Sequence, residues 1–285
     1  MTAPLAAVER TALLTAALRA AETSRPDRLY DDPYAAELAG RIGPELLAEV
    51  VRVTFPPDRP SDLPSTPDYN AIRTRFLDDR LRELVDDPTV TQLVLAPAGV
   101  DSRAYRLDWP DRLRWFEMDR PAVLAYKEQR LAGRNPRVRR LTVPADLTAD
   151  DWEERLTAAG YQPDQPSVWL LEGLLYYLPE ERVRQLLGRI RAVAAPGSRV
   201  LADLVNETAL TLPSMQNLLR VFADWGCPWV FGTDDPEGLF AAYGMTARAV
   251  QPGDPDAHYG RWPDPVPPRS EPGVRRVFFV DAECR

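Results

Sequence analysis

The sequence predicts an α/β protein with a doubly wound, largely parallel sheet, and three observations carry that expectation. Short apolar runs of strand length alternate with helical patterns from residue 91 onward. The first run, Gln92–Ala96, breaks into Pro97-Ala98-Gly99, and Asp101-Ser102 then offers side-chain oxygens that can cap a helix. That strand, turn and helix start is the corner at which such sheets bind nucleotides. The third observation is length: 285 residues suffice for one α/β domain with insertions.

Along the chain, Ala7–Ala21 reads as an amphipathic helix with Leu13, Leu14 and Leu18 on its apolar side. Leu29–Ile42 reads as a second, entered through Asp31-Asp32-Pro33, and Glu45–Val53 continues the helical part. Pro56–Pro67 is a proline-rich surface loop, and Asn70–Val85 a helix carrying Arg73 and Arg75. Strands follow at Gln92–Ala96, Leu113–Glu117, Val138–Val143, Ser167–Leu171 and Arg199–Leu204. The helices between them fall near 102–107 and at Pro121–Leu131, Asp150–Ala159 and Pro179–Ala194. The region 206–240 is a helical insertion, aromatic around Phe222–Phe231. Strands near 245–250 and 274–281 close the chain, and a loop without a helix between them allows antiparallel pairing. Seven strands with a last antiparallel pair are the pattern of a class I methyltransferase. Residues 1–90 then form an N-terminal helical lid and 91–285 the core.

Composition narrows the function. A net charge of −8 argues against general nucleic-acid binding. The two cysteines, Cys227 and Cys284, form no disulfide framework and lack metal-ligand spacing. His258 is the only histidine, which excludes a histidine-based metal centre. No apolar run approaches the roughly 20 residues of a membrane helix, and no signal-peptide core is present, so the expectation is a soluble, cytoplasmic protein.

Site chemistry is read from the strand ends. A carboxylate at Asp101 would repel a dinucleotide pyrophosphate but welcome a ligand with an ammonium group, such as S-adenosylmethionine. Asp119 lies 20 residues beyond Gly99, the spacing of an acid that takes both ribose hydroxyls; it also reads as a solvated acid opening the next helix. Asp146 can accept from an adenine amino group while Leu147 packs on the ring, or Asp146 can simply cap a helix. Glu172 follows an apolar strand and is costly to bury unpaired, which fits an acid near the cationic end of a cofactor better than an exposed loop acid.

The segments RLYDDPYAAELAG, AIRTRFLDDRL, APAGVDSRAYRLDWP, FEMDRP, ADL and WLLEGLLYYL resemble, in order, the leucine carboxyl methyltransferase family. The resemblance is to its bacterial, mostly actinobacterial branch, which includes polyketide carboxyl O-methyltransferases of secondary metabolism. It implies that Arg73 pairs with the S-adenosylmethionine carboxylate and that Ala98, Gly99 and Asp101 line the methionine. It further implies Asp119 at the ribose, Asp146 and Leu147 at the adenine, and Glu172 near the amino group. The implied reaction is methyl transfer to the carboxylate of a small-molecule acid. A carboxylate is already ionised at neutral pH and needs no general base.

Arg19, Tyr176, His258, Tyr259 and Arg261 are candidates for holding the acceptor, each with an equally good structural reading. One departure is Pro97, where the family carries Gly or Ala. Proline removes a donor and fixes φ near −65°, so a turn that needs positive φ there would be lost. Two alternatives follow: a hydroxyl or amine methyltransferase with His258 as base, and a non-catalytic protein of this fold with weakened cofactor binding. An NAD-dependent dehydrogenase is disfavoured by the missing G-x-G-x-x-G and by Asp101.

Overall fold

In the computed structural model, which describes residues 7–54, 66–262 and 265–285, four helices precede the first strand. They are α1 (Ala7–Thr23), α2 (Ala35–Ala39), α3 (Ile42–Thr54) and α4 (Thr66–Asp86). The alternation then runs β1 (Gln92–Leu95), α5 (Arg103–Arg106), β2 (Arg114–Asp119), α6 (Pro121–Arg130) and β3 (Arg139–Pro144). It continues through α7 (Trp152–Ala158), β4 (Ser167–Leu171), α8 (Glu180–Val193) and β5 (Arg199–Val205). Three helices follow, α9 (Glu207–Thr211), α10 (Gln216–Asp224) and α11 (Pro236–Ala241), before β6 (Met245–Val250) and β7 (Val277–Cys284).

All seven strands join one sheet in the order β3-β2-β1-β4-β5-β7-β6. The first five are parallel, and β7 runs antiparallel to both β5 and β6. Strand side chains alternate between faces. Leu93, Leu95, Trp115 and Leu170 pack in one cluster with Leu77 and Leu81 of α4, while Val94, Phe116 and Trp169 face another with Leu186 and Ile190 of α8. Because both faces are covered there, the central strands β1 and β4 read as apolar runs. The chain order reverses between β1 and β4, which opens the ligand crevice at their carboxyl ends. A third cluster joins Leu13, Leu14 and Leu18 of α1 to Leu46 and Val50 of α3 and to Leu218, Val221 and Phe222 of α10. The N-terminal helices and the 206–240 insertion thus pack together above that crevice.

Two expectations need correction. The helix expected over 29–42 shrinks to Ala35–Ala39, because backbone donors ahead of it go to side chains instead. Leu29 N–H donates to Glu22 Oε1 (2.7 Å), Asp32 N–H to Thr23 Oγ1 (2.9 Å) and Tyr34 N–H to Asp32 Oδ1 (3.2 Å). The last strand, expected over 274–281, sits at 277–284, with Val277 opposite Val205 and Glu283 opposite Arg199. It starts later because Arg276 is turned into the preceding loop, where it donates to Gln251 Oε1 and the Pro267 carbonyl. Most of the loop expected at Pro56–Pro67, residues 56–65, lies outside the described residues.

Candidate active site

The turn after β1 is the centre of the site. Gly99 takes a positive φ of 50°, Ala98 N–H donates to the Met118 carbonyl (2.8 Å), and Gly99 N–H donates to Asp119 Oδ2 (2.7 Å). Asp119 also accepts from Arg120 N–H (2.7 Å), so one carboxylate ties the tip of β1 to the tip of β2. Burial raises its pKa, against the pull of those two bonds. The left-handed residue is Gly99 and not Pro97, so the proline does not occupy the position that would forbid it.

Around this turn runs a buried ionic chain. Arg19 Nε pairs with Asp32 Oδ2 (2.8 Å) and its Nη2 donates to the Val100 carbonyl (2.8 Å), which fastens α1 to the turn. Asp78 of α4 receives Arg103 Nε and Arg106 Nη1, each at 2.6 Å. Arg103 reaches on to Asp101 and to Glu172 Oε2 (2.7 Å), and Arg73 joins Glu172 Oε1 (3.1 Å) to Asp203 Oδ2 (2.9 Å). Asp203 is fully buried in β5 and also accepts from Tyr69 Oη (3.1 Å) and Gly173 N–H (2.6 Å). Burial would raise Asp78 and Asp101, but the arginines beside them prevail and hold both below the usual carboxylate range. Arginines 19, 73, 103 and 106 are thus outnumbered by Asp32, Asp78, Asp101, Glu172 and Asp203 by one, a net negative charge.

A cavity of about 300 Å³ opens onto this chain. Its walls include Thr11, Thr15 and Arg19 of α1, Arg73, residues 97–101, residues 172–174 and 176–178, and Gly226–Pro228 from the insertion. Of the expected residues, Arg19, Arg73, Ala98, Gly99, Asp101, Glu172 and Tyr176 are therefore brought together. Asp119 stands directly behind the turn. Asp146 and Leu147 follow β3, two strands away: exposed Asp146 accepts from Thr148 N–H and Oγ1 (2.8 and 2.7 Å), and those bonds lower its pKa. Leu147 packs against the core and lines a separate small pocket.

Three expected acceptor residues lie elsewhere. His258 is exposed, its Nδ1 accepting from Gly260 N–H (3.0 Å). Tyr259 lies under Arg75 in a surface pocket with Phe279 and Asp281. Arg261 ties the late loop to Glu22, Asp27 and Asp68. None of the three lines the cavity.

Sequence reading missed Arg103, Asp78 and Asp203. Asp203 carried a usable signal, an acid inside the apolar run Val200–Val205, which is costly unless paired. Among the described residues no histidine lines the cavity, and its two carboxylates, Asp101 and Glu172, are both held by arginine. Burial raises Tyr176 well above the ordinary phenol value and pushes the Cys227 thiol up to about 11.

Sheet order, antiparallel β7 and a cavity at the switch point define a class I methyltransferase core. The chain belongs to the leucine carboxyl methyltransferase family, whose profile matches residues 12–191. A relative from Parafrankia sp., named "Putative S-adenosyl-L-methionine-dependent methyltransferase", is 42% identical over 223 residues, covering 74% of this chain and 69% of its own. A similarly named protein from Streptomyces avermitilis is 38% identical over 278 residues, 92% of this chain and 90% of that one. Two solved structures share the fold at low identity. One is a DUF574 family protein from Streptomyces avermitilis (TM-score 0.60, 14% identity, 95% and 97% coverage). The other was solved as a methyltransferase candidate from Thermobifida fusca (TM-score 0.61, 19% identity, 96% and 94% coverage). Among the described residues no helix is long and apolar enough to cross a membrane, and no cluster suits a metal ion.

Proposed function

We propose that the acceptor of this S-adenosylmethionine-dependent methyltransferase is the carboxylate of a small organic acid, which leaves as its methyl ester. The observation that carries this reading is the lining of the cavity: among the described residues no histidine faces it, its two tyrosines and its cysteine hold their protons, and its two carboxylates, Asp101 and Glu172, are bound by Arg103 and Arg73. A hydroxyl or amine acceptor must lose a proton, whereas a carboxylate attacks as it stands.

The cavity suits the cofactor on two further counts. S-adenosylmethionine carries two cations and one carboxylate, and the ionic chain around the cavity holds one surplus negative charge. An ideal Cβ at Gly99 would meet only Ala12, at 3.8 Å, so the backbone there is open to close approach. In this reading Arg73 receives the cofactor carboxylate and Gly99 and Asp101 flank the methionine. Glu172 lies by the ammonium, Asp119 by the ribose, and Asp146 with Leu147 by the adenine, following the strand order β4-β1-β2-β3 along the sheet edge.

When bound, the cofactor supplies a methyl group on a positively charged sulfur. The chain's own part is alignment and exclusion of water, since opposite charges that cancel on reaction do so most readily in a dry site. Calorimetric titration with S-adenosylmethionine and S-adenosylhomocysteine tests the cofactor. Turnover of an acid panel, with kcat/KM flat from pH 6 to 9, tests the acceptor; a rate climbing with pH through that range would point to a hydroxyl or amine instead.

A further inference from the structure

A second chamber, of about 80 Å³, adjoins the first, and the two share a wall of Thr11, Thr15, Arg73, Tyr176 and Tyr177. Beyond that wall the chamber is mostly apolar and aromatic, with Phe222 stacked on Trp229 at 5.5 Å and Trp229 against Tyr176 at 4.5 Å. Four polar side chains interrupt this lining: the hydroxyls of Thr54 and Tyr69 are spent on the Val50 carbonyl and on Asp203, and Arg275 and Asn70 remain.

Arg275 differs from its neighbour. Arg276 is consumed by Gln251 Oε1 and by the carbonyls of Pro267 and Glu271. Among the described residues Arg275 has no carboxylate partner, and the one hydrogen bond its guanidinium makes is to Met215 Sδ at 3.9 Å. Burial pulls its pKa down, yet a guanidinium stays charged in a protein. Arg275 is half-buried, and a partly desolvated cation without an anion carries a cost that an entering anion relieves. Asn70 is 3% exposed, and its Oδ1 has no partner among the described residues. Turned over, the same amide presents its NH2 group at nearly the same place.

We propose that this chamber takes the acid head of an aromatic carboxylic acid, the methyl acceptor, with Arg275 pairing to its charge and Asn70 to its second oxygen. The inference rests on the carboxyl-methylation reading above and names the acceptor class. Whole-ligand pockets run to about 300–1,000 Å³, so a chamber this small holds a head group with part of a ring while the remainder reaches outward. In the transfer a carboxylate oxygen gives a lone pair to the methyl carbon, the C–S pair stays on sulfur, and no proton moves. The ester formed is neutral and loses its hold on Arg275, so the same residue that selects the acid favours release of the product.

The test is titration of S-adenosylhomocysteine-loaded and of free protein with benzoate, phenylacetate and their methyl esters, followed by calorimetry and by tryptophan fluorescence. At least one acid binds, its ester binds about tenfold more weakly or less, and Arg275→Gln removes that preference, as expected for a charge-assisted hydrogen bond. Arg275→Gln leaves the affinity for S-adenosylhomocysteine within about threefold, because the residue lines only the second chamber. Asn70→Asp supplies a second route if the first variant folds poorly: a carboxylate in the chamber repels the acid and spares the ester. The inference is overturned if the cofactor product binds but no acid does, or if acid and ester bind alike in the wild type, or if both variants keep the wild-type preference. Failure of the cofactor alone to bind overturns the methyltransferase reading, and acid titration of the free protein still decides the chamber.

Discussion

Arg103 Nη1 lies 2.7 Å from Glu172 Oε2 and bonds Asp101 as well, so the acids at the tips of β1 and β4 are bridged by an arginine only 2% exposed. Both acids were expected to face a cationic ligand. They do line the cavity, but each is already partly neutralised, and the surplus charge belongs to the whole chain of ions.

Removing that bridge leaves Asp78, Asp101 and Glu172 short of a partner. Arg103→Met should lower the unfolding free energy by about 3–5 kcal/mol, the usual result of breaking a buried pair from one side. Urea unfolding checks it. A loss under about 1 kcal/mol would mean the pairs contribute little.

Acid should dissolve the same contacts in a defined window. Arg106 and Arg103 hold Asp78 below its ordinary 3.8 despite burial. A carboxyl depressed on folding adds stability above the unfolded pKa and loses it as pH falls through the folded one. The gap in unfolding free energy between wild type and Asp78→Asn should therefore be constant above about pH 5 and narrow below 3.8. A gap that stays constant down to pH 3 contradicts the assignment.

Gly99→Ala separates backbone cost from steric cost. A left-handed alanine costs about 1–2 kcal/mol, and the nearest atom to the new Cβ is Ala12 Cβ at 3.8 Å. Stability should fall by that amount alone, while cofactor affinity falls further because the methyl points into the cavity. Equal cofactor affinity in the variant would remove the close approach inferred at this turn.

Arg73→Lys keeps the charge but loses the fork that spans Asp203 and Glu172. The expected result is a folded protein whose affinity for S-adenosylmethionine drops about tenfold, a loss on the scale of one charge-assisted bond. Calorimetry with unchanged affinity would move the cofactor carboxylate to another partner.

His258→Ala should leave turnover within about twofold, since an exposed side chain away from both chambers contributes little. A loss of a hundredfold or more, restored by added imidazole, would revive a histidine base.

Much of this was legible in the chain before any coordinates. The central strands β1 and β4 were visible because a strand buried on both faces reads as an apolar run, and Ser167–Leu171 was placed to the residue. Turn chemistry pointed to 97–101, residues that line the cavity, and Glu172, which lines it too, announced itself as an acid after an apolar strand. His258, Tyr259 and Arg261 were misplaced because a proline-rich loop carries no periodicity from which its packing can be read. Instead that loop folds back on α1 through Arg261 and Glu22.

The sequence by itself determined the sheet, the turn and the family, since apolar period and turn residues act over a few positions and motifs are ordered along the chain. Only the tertiary structure decided which charge meets which. Arg73 reaches Asp203 across 130 residues and Arg103 reaches Glu172 across 69, while Arg275 is left facing an aromatic chamber beside the fully engaged Arg276. The energy of an ion depends on its surroundings in three dimensions, and two adjacent arginines identical in sequence terms can end in opposite electrostatic states.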